Sequence, residues 1–558
     1  MGRLFYLLLA VNTAITLNSL QSAVIQSIPF AKTGILPSIT LDYLIHPERL
    51  VPYYNRYFTK EDFYRQILEK QLEFTDERRK ILYRALKRQY SEQGIVLSAS
   101  EPVMTNIELL SRNDTFTITT GHQLCLHTGP LYFIYKILSA IAQVRKLKVW
   151  YPEYHFVPVF WLASEDHDFQ EINHFHHHRV RFHWNYMHSG QPVGRLSLEG
   201  YRELLQTYSE FLMPHNSSIT EWLKILEYSY LTSINLAQAT RKLVHQLLGH
   251  YGIVIIDGDD PELKNAFRLI IKDEVLRQVS NEPLKETSEE IGRLWFAQVN
   301  PRDINFFYLG DSRVRIEKAS DGTYRAGQRV WSTRELEREI DNRPENFSPN
   351  VVTRPLYQEF VLPNLAYIGG ANEIAYWLQL KGVFTTHQMP MPILLLRNSF
   401  LQLNAKVKRF LEKNDLLEEI LFQPPAKVVK DLIRKTSPTD SRFEHFSSQM
   451  KKLYAEIEEY SANVDKTLAA SARARMVRHL KAIESLKAKV LSAEARKNDQ
   501  LLRKLQEIHQ MVYPNGVFQE RYENVSQYYC KYGQDWIDVL MAEADMPSTN
   551  AIVLYWPD

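Results

Sequence analysis

The sequence predicts an α/β fold built on a doubly wound parallel sheet, with a long helical arm attached. Three observations predict it. Runs of β-branched and aromatic residues alternate with helical patterns along roughly the first 400 residues. Loops rich in glycine or ionisable residues follow several of those runs. Near the C-terminus, the 75 residues from Thr439 to Tyr513 contain neither Gly nor Pro.

Taken in order, residues 60–92 read as helical, with Phe63, Ile67, Leu68, Leu72 and Phe74 spaced among charges. TFTITT at 115–120 reads as a strand, GHQLCLHTGP as the loop after it, and LYFIYKILSAIAQVRKL as a helix over 131–147. HFVPVFWLA at 155–163 is a buried strand with EDHD at its carboxyl end. YGIVIIDGDDPELKNAFRLIIKDEVL reads as strand, acidic turn and Pro-initiated helix. MPILLLRNSFLQLNAKVKRFLEK is strand then helix. Between about 281 and 350 the periodicity weakens, and FFYLGDSRVRIEKASDGTYRAG resembles a hairpin in an insertion. Strands alternating with helices favour a parallel sheet, whose ligands sit at the carboxyl ends of the strands. Both unusual loops, GHQLCLHTGP and ASEDHD, fall at such ends.

The Gly- and Pro-free run carries Met450, Leu453, Ile457, Val464, Leu480, Ile483, Val490, Leu501, Leu505 and Ile508 at helical spacings, which reads as a coiled-coil arm. VDKTLAAS at 464–471 interrupts the stripe, so an antiparallel helical hairpin is expected there. The aromatic segment from 514 to 558 is expected to return to the body of the protein. The expected domains are thus an extension over 1–24, a core over 25–430 with its insertion near 281–350, the arm over 439–513, and the segment 514–558.

Composition narrows the function. With 558 residues, 45% hydrophobic and 24% charged, the chain buries a large core. A net charge of +2 from 67 basic and 65 acidic residues gives no basic field for nucleic acid or an anionic membrane, and favours small-molecule partners. Two distant cysteines, Cys125 and Cys530, exclude a disulfide framework and a CxxC zinc site, and fit a reducing compartment. MGRLFYLLLAVNTAITLNSLQSA has the pattern of a secretory signal but is too short and polar to span a membrane. Family-like sequence begins near Ile25, so an upstream start codon is the expected explanation.

No Walker lysine loop, GxGxxG, GxSxG or HExxH pattern occurs. Three clusters carry the candidate chemistry. In FWLASEDHDFQEINHFHHH, the ionisable group Glu165, Asp166, His167 and Asp168 at a strand end is the candidate catalytic loop, and Trp161 precedes it. His176, His177 and His178 read as solvated surface. A metal centre on EDHDxxE is a competing reading, but the HExxH spacing is missing and no metal is expected. In GHQLCLHTGP, His122 is a candidate catalytic residue, while Gly121, Gln123, Thr128 and Gly129 are candidate ligand contacts at a helix N-terminus. His127 reads equally as an anion donor or a satisfied structural residue. Cys125, between leucines, reads as a packed thiol. In NVVTRPLYQEFVLPNLAYIGGANEIAYWLQLKG, Arg354 is a candidate carboxylate fork, with Gln358, Glu373, Tyr376 and Trp377 as further substrate contacts.

TGHQLCLHTGPLYFIYKILSAI, PVFWLASEDHDFQEIN and NVVTRPLYQEFVLPNLAYIGGANEIAYW, followed by the helical arm and PNGVFQERYENV, resemble the bacillithiol biosynthesis cysteine-adding enzyme family, a group of cysteine ligases. The resemblance runs from about Ile25 to the C-terminus. It implies a Rossmann-like core related to class I aminoacyl-tRNA synthetases, with inserted connecting segments and a coiled-coil arm that forms a homodimer. It further implies that L-cysteine is joined through its carboxyl group to the amine of glucosaminyl malate in the cytoplasm. In that setting Arg354 or the helix N-terminus would meet carboxylates, an EDHD carboxylate or imidazole would deprotonate an amine, and Glu373 would meet hydroxyls. By analogy with class I synthetases, Asp166 and His167 would lie beside the amino-acid ammonium. Amide formation from a free carboxylate is uphill, so ATP dependence is expected. GHQLCLHTGP stands where those synthetases carry HIGH, however, and no KMSKS-like lysine is found. Two other classes compete: a metal-dependent hydrolase, separable by metal analysis, and a non-enzymatic scaffold, separable by deleting the arm.

Overall fold

The computed structural model describes residues 24–557 apart from 93, 94, 96, 188, 189, 214, 437 and 498. Most of the 1–24 extension therefore lies outside the described residues. The chain divides into two compact units: residues up to 402 with 520–554, and residues 403–519 with 555–558.

At the centre of the first unit lie five strands, in the order Ile393–Leu396, Asn364–Gly369, Thr115–His122, His155–Leu162, Val254–Asp257. Every neighbouring pair is parallel. Their residues are buried almost throughout, which is why these runs read as continuous Val, Ile, Leu and Phe rather than as alternation. From Thr115–His122 the chain moves outward through His155–Leu162 to Val254–Asp257. It then crosses back to Asn364–Gly369 and Ile393–Leu396, so the direction of winding reverses between Thr115–His122 and Asn364–Gly369. The Asn364–Gly369 strand is not anticipated by the sequence pattern, because Pro363 and the glycine pair frame it as a loop.

The helix Tyr132–Trp150 follows the first strand and is buried along most of its length. Residues 60–92 form two helices, Lys60–Glu73 and Asp76–Glu92. Pro261–Lys272 begins at its proline, with the Asp260 carboxylate accepting the backbone N–H groups of Glu262 and Leu263. The segment after 281 contains a helix, Asn281–Gly292, and short antiparallel ladders. Phe306–Leu309 pairs with Arg313–Arg315 on one side and Phe347–Pro349 on the other.

PNGVFQERYENV gains a structural meaning here. The Asn524 side chain donates to the carbonyls of His127 (2.8 Å) and Gly129 (2.6 Å), and Leu131 N–H donates to the Glu523 carbonyl. The C-terminal return thus fixes the loop that precedes the Tyr132–Trp150 helix.

In the second unit, Thr439–Val464 and Lys466–Lys497 form an antiparallel hairpin. Asp440 pairs with Lys487 (2.7 Å), the Tyr454 hydroxyl meets His479 Nδ1 (3.0 Å), and Glu458 pairs with Arg473 (3.4 Å). The reversal falls at Asp465, whose carboxylate accepts both the N–H and the hydroxyl of Thr467. Phe446, Leu453, Tyr460, Val464 and Leu486 stay exposed on these helices.

One glycine is dictated by geometry. Gly129 has φ +63°, and a Cβ built on it would lie 2.5 Å from Cys125 Cβ. Gly129→Ala is therefore expected to lower unfolding stability by about 1–3 kcal/mol, read by denaturant titration. Unchanged stability would contradict the close packing of this turn.

Candidate active site

A cavity of about 520 Å³ opens at the carboxyl ends of the strands, at the reversal between Thr115–His122 and Asn364–Gly369. An open α/β sheet places its ligand there because the two connecting segments leave in opposite directions and part. Of the residues expected from the sequence, Gly121, His122, Gln123, Trp161, Glu165, Asp166, Arg354, Glu373 and Tyr376 line it.

The acidic loop is held by donors from elsewhere in the chain. Asp166 accepts Gln123 Nε2 at 2.6 Å and the His167 N–H at 2.8 Å, and lies 3.7 Å from Arg313. Burial works against its charge, but these donors together hold the carboxyl well below its usual range. Arg313 donates to His167 Nδ1 (3.1 Å), so that nitrogen is the acceptor and Nε2 carries the proton. Ser348 Oγ and the Pro349 carbonyl fix the same guanidinium, which stacks 3.9 Å over the Phe307 ring. Glu165 is claimed by Lys264 Nζ at 2.6 Å.

Opposite this loop, Lys136 rises from the Tyr132–Trp150 helix. Its ammonium donates to the Gly121 carbonyl and to Glu373 (2.6 Å). Glu373 also accepts the Tyr367 hydroxyl and the Gly370 N–H, both at 2.7 Å. Burial opposes its ionisation, yet the ammonium and these donors bring the carboxyl down to about 2. Gly121 lets the wall close up, since a Cβ there would meet the Trp161 carbonyl at 3.2 Å and Arg354 at 3.8 Å. The His122 Nδ1–H donates to the Gln123 carbonyl at 2.9 Å, leaving Nε2 with the lone pair. Burial, followed by the Lys136 charge, pushes this imidazole down to about 4, so it is neutral at pH 7.

Charge on the cavity wall is unbalanced. Lys136, Arg313, Arg315, Arg354, Arg397 and Arg521 face only Glu165, Asp166 and Glu373. Arg397 is neutralised from behind by a two-pronged contact with Glu520 (2.9 and 2.5 Å). Arg354 bonds neutral groups, Gln358 (3.2 Å) and the Tyr376 hydroxyl (3.4 Å). Among the described residues, Arg315, Arg354 and Arg521 have no carboxylate partner within ion-pair distance. The site is built for an anion.

Several expected residues lie elsewhere. His167 sits behind the wall as the acceptor for Arg313. Asp168 caps the short helix Phe169–Ile172, accepting the Glu171 N–H at 3.3 Å. Thr128 and Gly129 are buried in the turn behind the cavity. His127 is fully buried, its ring bonded to the Tyr201 hydroxyl (2.8 Å) and pushed down to about 3 by burial. Gln358 is buried and bridges Arg354 to Glu359. Trp377 is buried against Tyr367, ring centroids 4.3 Å apart, so it cannot pack on a sugar. Glu373, expected to meet a ligand directly, has both oxygens taken. His177, expected on the surface, is buried because the strand His174–His177 turns alternate residues inward, and it meets Tyr208 and Ser526. Cys125 is buried, its thiol pushed up to about 12 by burial. Among the described residues, no three His, Cys, Asp or Glu side chains are grouped so as to hold a metal ion. No helix among them is long and apolar enough to cross a membrane.

The sequence reading missed Lys136, Arg313, Arg315, Arg397 and Arg521. Lys136 left a signal, as the one charge in LYFIYKILSAIA, and Arg397 another, as the residue directly after the Ile393–Leu396 strand. Arg313, Arg315 and Arg521 left none, being delivered by segments far away in the chain.

Known proteins place this arrangement. Residues 24–398 match the family described as bacillithiol biosynthesis BshC, N-terminal Rossmann-like domain, and residues 400–556 match bacillithiol biosynthesis BshC, C-terminal coiled-coil domain. A protein of Flavobacterium johnsoniae is 40% identical over 520 residues, 92% of this chain and 96% of its own length. One from Flavobacterium psychrophilum is 40% identical over 518 residues, with the same coverage. A third, from Christiangramia forsetii, is 38% identical over 539 residues, 94% and 98% of the two chains. All three bear the name "Putative cysteine ligase BshC". A solved structure from Campylobacter jejuni, described as "putative arginyl t-RNA synthetase", covers 80% of this chain and 98% of its own at 12% identity, with a TM-score of 0.23 that carries nothing about the fold. Matched along nearly its whole described length, the chain belongs to the bacillithiol biosynthesis BshC family.

Proposed function

We propose that this protein is a ligase that joins the carboxyl group of L-cysteine to the amine of glucosaminyl malate, completing bacillithiol, and that it works in the cytoplasm as a homodimer held by the helical arm. The observation that carries the reading is the excess of guanidinium groups around a cleft that also holds a permanently ionised aspartate. Arg354 suits a carboxylate of a malate group, since a planar guanidinium fork matches a carboxylate in geometry and charge. Asp166, held ionised by its donors yet with lone pairs to spare, suits an ammonium ion better than it suits proton abstraction.

Forming an amide from a free carboxylate needs activation, and ATP is the source we propose. The positive wall formed by Arg315 and Arg521 has the charge to hold its phosphates, and once bound ATP would supply the leaving group for the cysteine carboxyl. The chain's own residues do the rest. Asp166 orients an ammonium, Arg354 positions a substrate carboxylate, the neutral His122 presents a lone pair, and Lys136 keeps a positive charge at the floor of the cleft. The exposed apolar residues of the arm, among them Leu453, Tyr460 and Val464, support dimerisation.

Incubating the protein with both substrates, with and without ATP, and following products by mass spectrometry tests function and nucleotide use together. Asp166→Ala and His122→Ala are each expected to reduce product formation by about 100-fold or more while the circular dichroism spectrum is retained. Wild-type yield from either would refute its role.

Arg354→Gln removes a charge-assisted contact worth about 1.5–3 kcal/mol, so the KM for glucosaminyl malate is expected to rise about 10- to 100-fold. The KM for cysteine should barely change. Equal rises for both substrates would argue against a malate contact.

Light scattering should report a dimer for the full chain and a monomer when Leu453, Tyr460 and Val464 are all changed to Ser. A dimer that survives these changes would move the interface off the arm.

A further inference from the structure

Beneath the acidic loop, two of three neighbouring carboxylates share two cations. Lys264, buried to 1% side-chain exposure, contacts Glu165 (2.6 Å) and Asp259 (3.2 Å). Arg195 grips Asp259 with two bonds, at 2.7 and 2.8 Å. Both cations are thereby committed to Glu165 and Asp259. Asp257, at the carboxyl end of its strand, has no ion-pair partner among the described residues. Its carboxylate accepts the Asp259 N–H (2.9 Å) and the hydroxyl of Ser164. Ser164 lines the cavity between Ala163 and Glu165.

The position of Ser164 is fixed. Its carbonyl accepts the Gly194 N–H (2.8 Å), the Asp166 carbonyl accepts the Val193 N–H (2.7 Å), and a Cβ on Gly194 would lie 2.5 Å from Ser164 Cβ. The groups facing Asp257 are Asp259 on its own loop, Arg195, Arg241 from the helix Leu236–Leu248, and Tyr357 from the helix Thr353–Val361. Burial first, then the neighbouring Asp259 charge, raise the Asp257 carboxyl above its ordinary range, whereas Lys264 and Arg195 hold Asp259 below it despite burial. Two adjacent carboxylates driven apart in this way mark a proton acceptor beside a fixed charge. The other candidates around the cleft are unsuited to accept a proton. Asp166 is held well below its usual range by its donors, Glu165 belongs to Lys264, and the His122 imidazole is too weakly basic.

We propose that Ser164 and Asp257 form a proton relay that deprotonates the attacking amine, Ser164 meeting the amine and Asp257 acting through it. This rests on the ligase reading. In the step, an N–H bond of the substrate ammonium breaks and its electron pair stays on nitrogen. The proton passes to Ser164 Oγ as the serine's own proton moves to Asp257 Oδ1. One ammonium and one carboxylate become one neutral amine and one carboxylic acid, which returns its proton to solvent before the next turnover.

The test compares wild type, Asp257→Asn and Ser164→Ala as full-length proteins with L-cysteine, glucosaminyl malate and ATP, quantifying product across pH. Asparagine keeps the size of Asp257 and still accepts the Ser164 hydroxyl, so a merely structural role survives Asp257→Asn and a relay does not. Both variants are expected to lose about 100-fold in kcat, with KM values within about two-fold of wild type. The wild-type kcat profile should fall on acidification with a limb above the ordinary carboxylate range of about 4, and Asp257→Asn should abolish that limb. Wild-type kcat in Asp257→Asn, or a lowered kcat with the acid limb in place, overturns the relay while product from wild type upholds the ligase reading. No product from wild type at any pH fails the ligase reading, and the relay falls with it.

Discussion

Lys136 spans the point where the sheet reverses. Its stem lies in an apolar helix, and its ammonium joins the Gly121 carbonyl, at the end of one central strand, to Glu373, just beyond the end of the neighbouring one. These two strands carry the chain away in opposite directions, so the contact closes the floor of the cleft that their divergence opens. Burying an ammonium is costly unless charge and hydrogen bonds compensate, and removing one partner of such a pair costs about 3–5 kcal/mol. Glu373, itself bonded to Tyr367 and Gly370, offsets part of that cost, while burial still lowers the ammonium below its ordinary range. Arg354 lies beside Gly121, where an added Cβ would press on the Trp161 carbonyl at 3.2 Å.

A consistent separation of charge builds outward from this floor. Carboxylates that lie close to cations or backbone donors are locked in the ionised state, as Asp166, Asp259 and Glu373 are. Asp257 has no ion-pair partner among the described residues, is buried and sits beside a second negative charge, so its affinity for protons rises. On the cationic side, Arg397 is neutralised by Glu520 and Arg313 is shared between Asp166 and His167, while Arg315, Arg354 and Arg521 remain to attract an anion. The cleft thus offers fixed negative and fixed positive charge in separate places, with the Asp257 carboxylate behind Ser164.

Two segments outside the βα units complete the site. The insertion after the third strand in sequence contributes Arg313 and Arg315 from a short antiparallel ladder. The C-terminal return contributes Arg521, the Glu520 that balances Arg397, and the Asn524 that pins the turn before the Tyr132–Trp150 helix. The sheet provides the edge, and these additions give it its charge.

Local pattern determined much of this. Four of the five central strands, the helix after the first strand, the Pro261 helix start and the helical arm are legible because strand, cap and helix signals act over a few residues. The placement of GHQLCLHTGP and EDHD at one edge follows from parallel topology alone. What the sequence could not determine is which side chains in those motifs face the cleft. His127 and Trp377 look as functional as His122 and Tyr376, yet the packing of Tyr201 and Tyr367 against them turns them into core. The Asn364–Gly369 strand was hidden because Pro363 and the glycine pair at 369–370 frame it as a loop. Arg313 and Arg521 reach the cleft through contacts spanning more than a hundred residues. Such proximity is set by the closing of the fold and leaves no trace in neighbouring residues, so the tertiary structure alone decided the charge of the site.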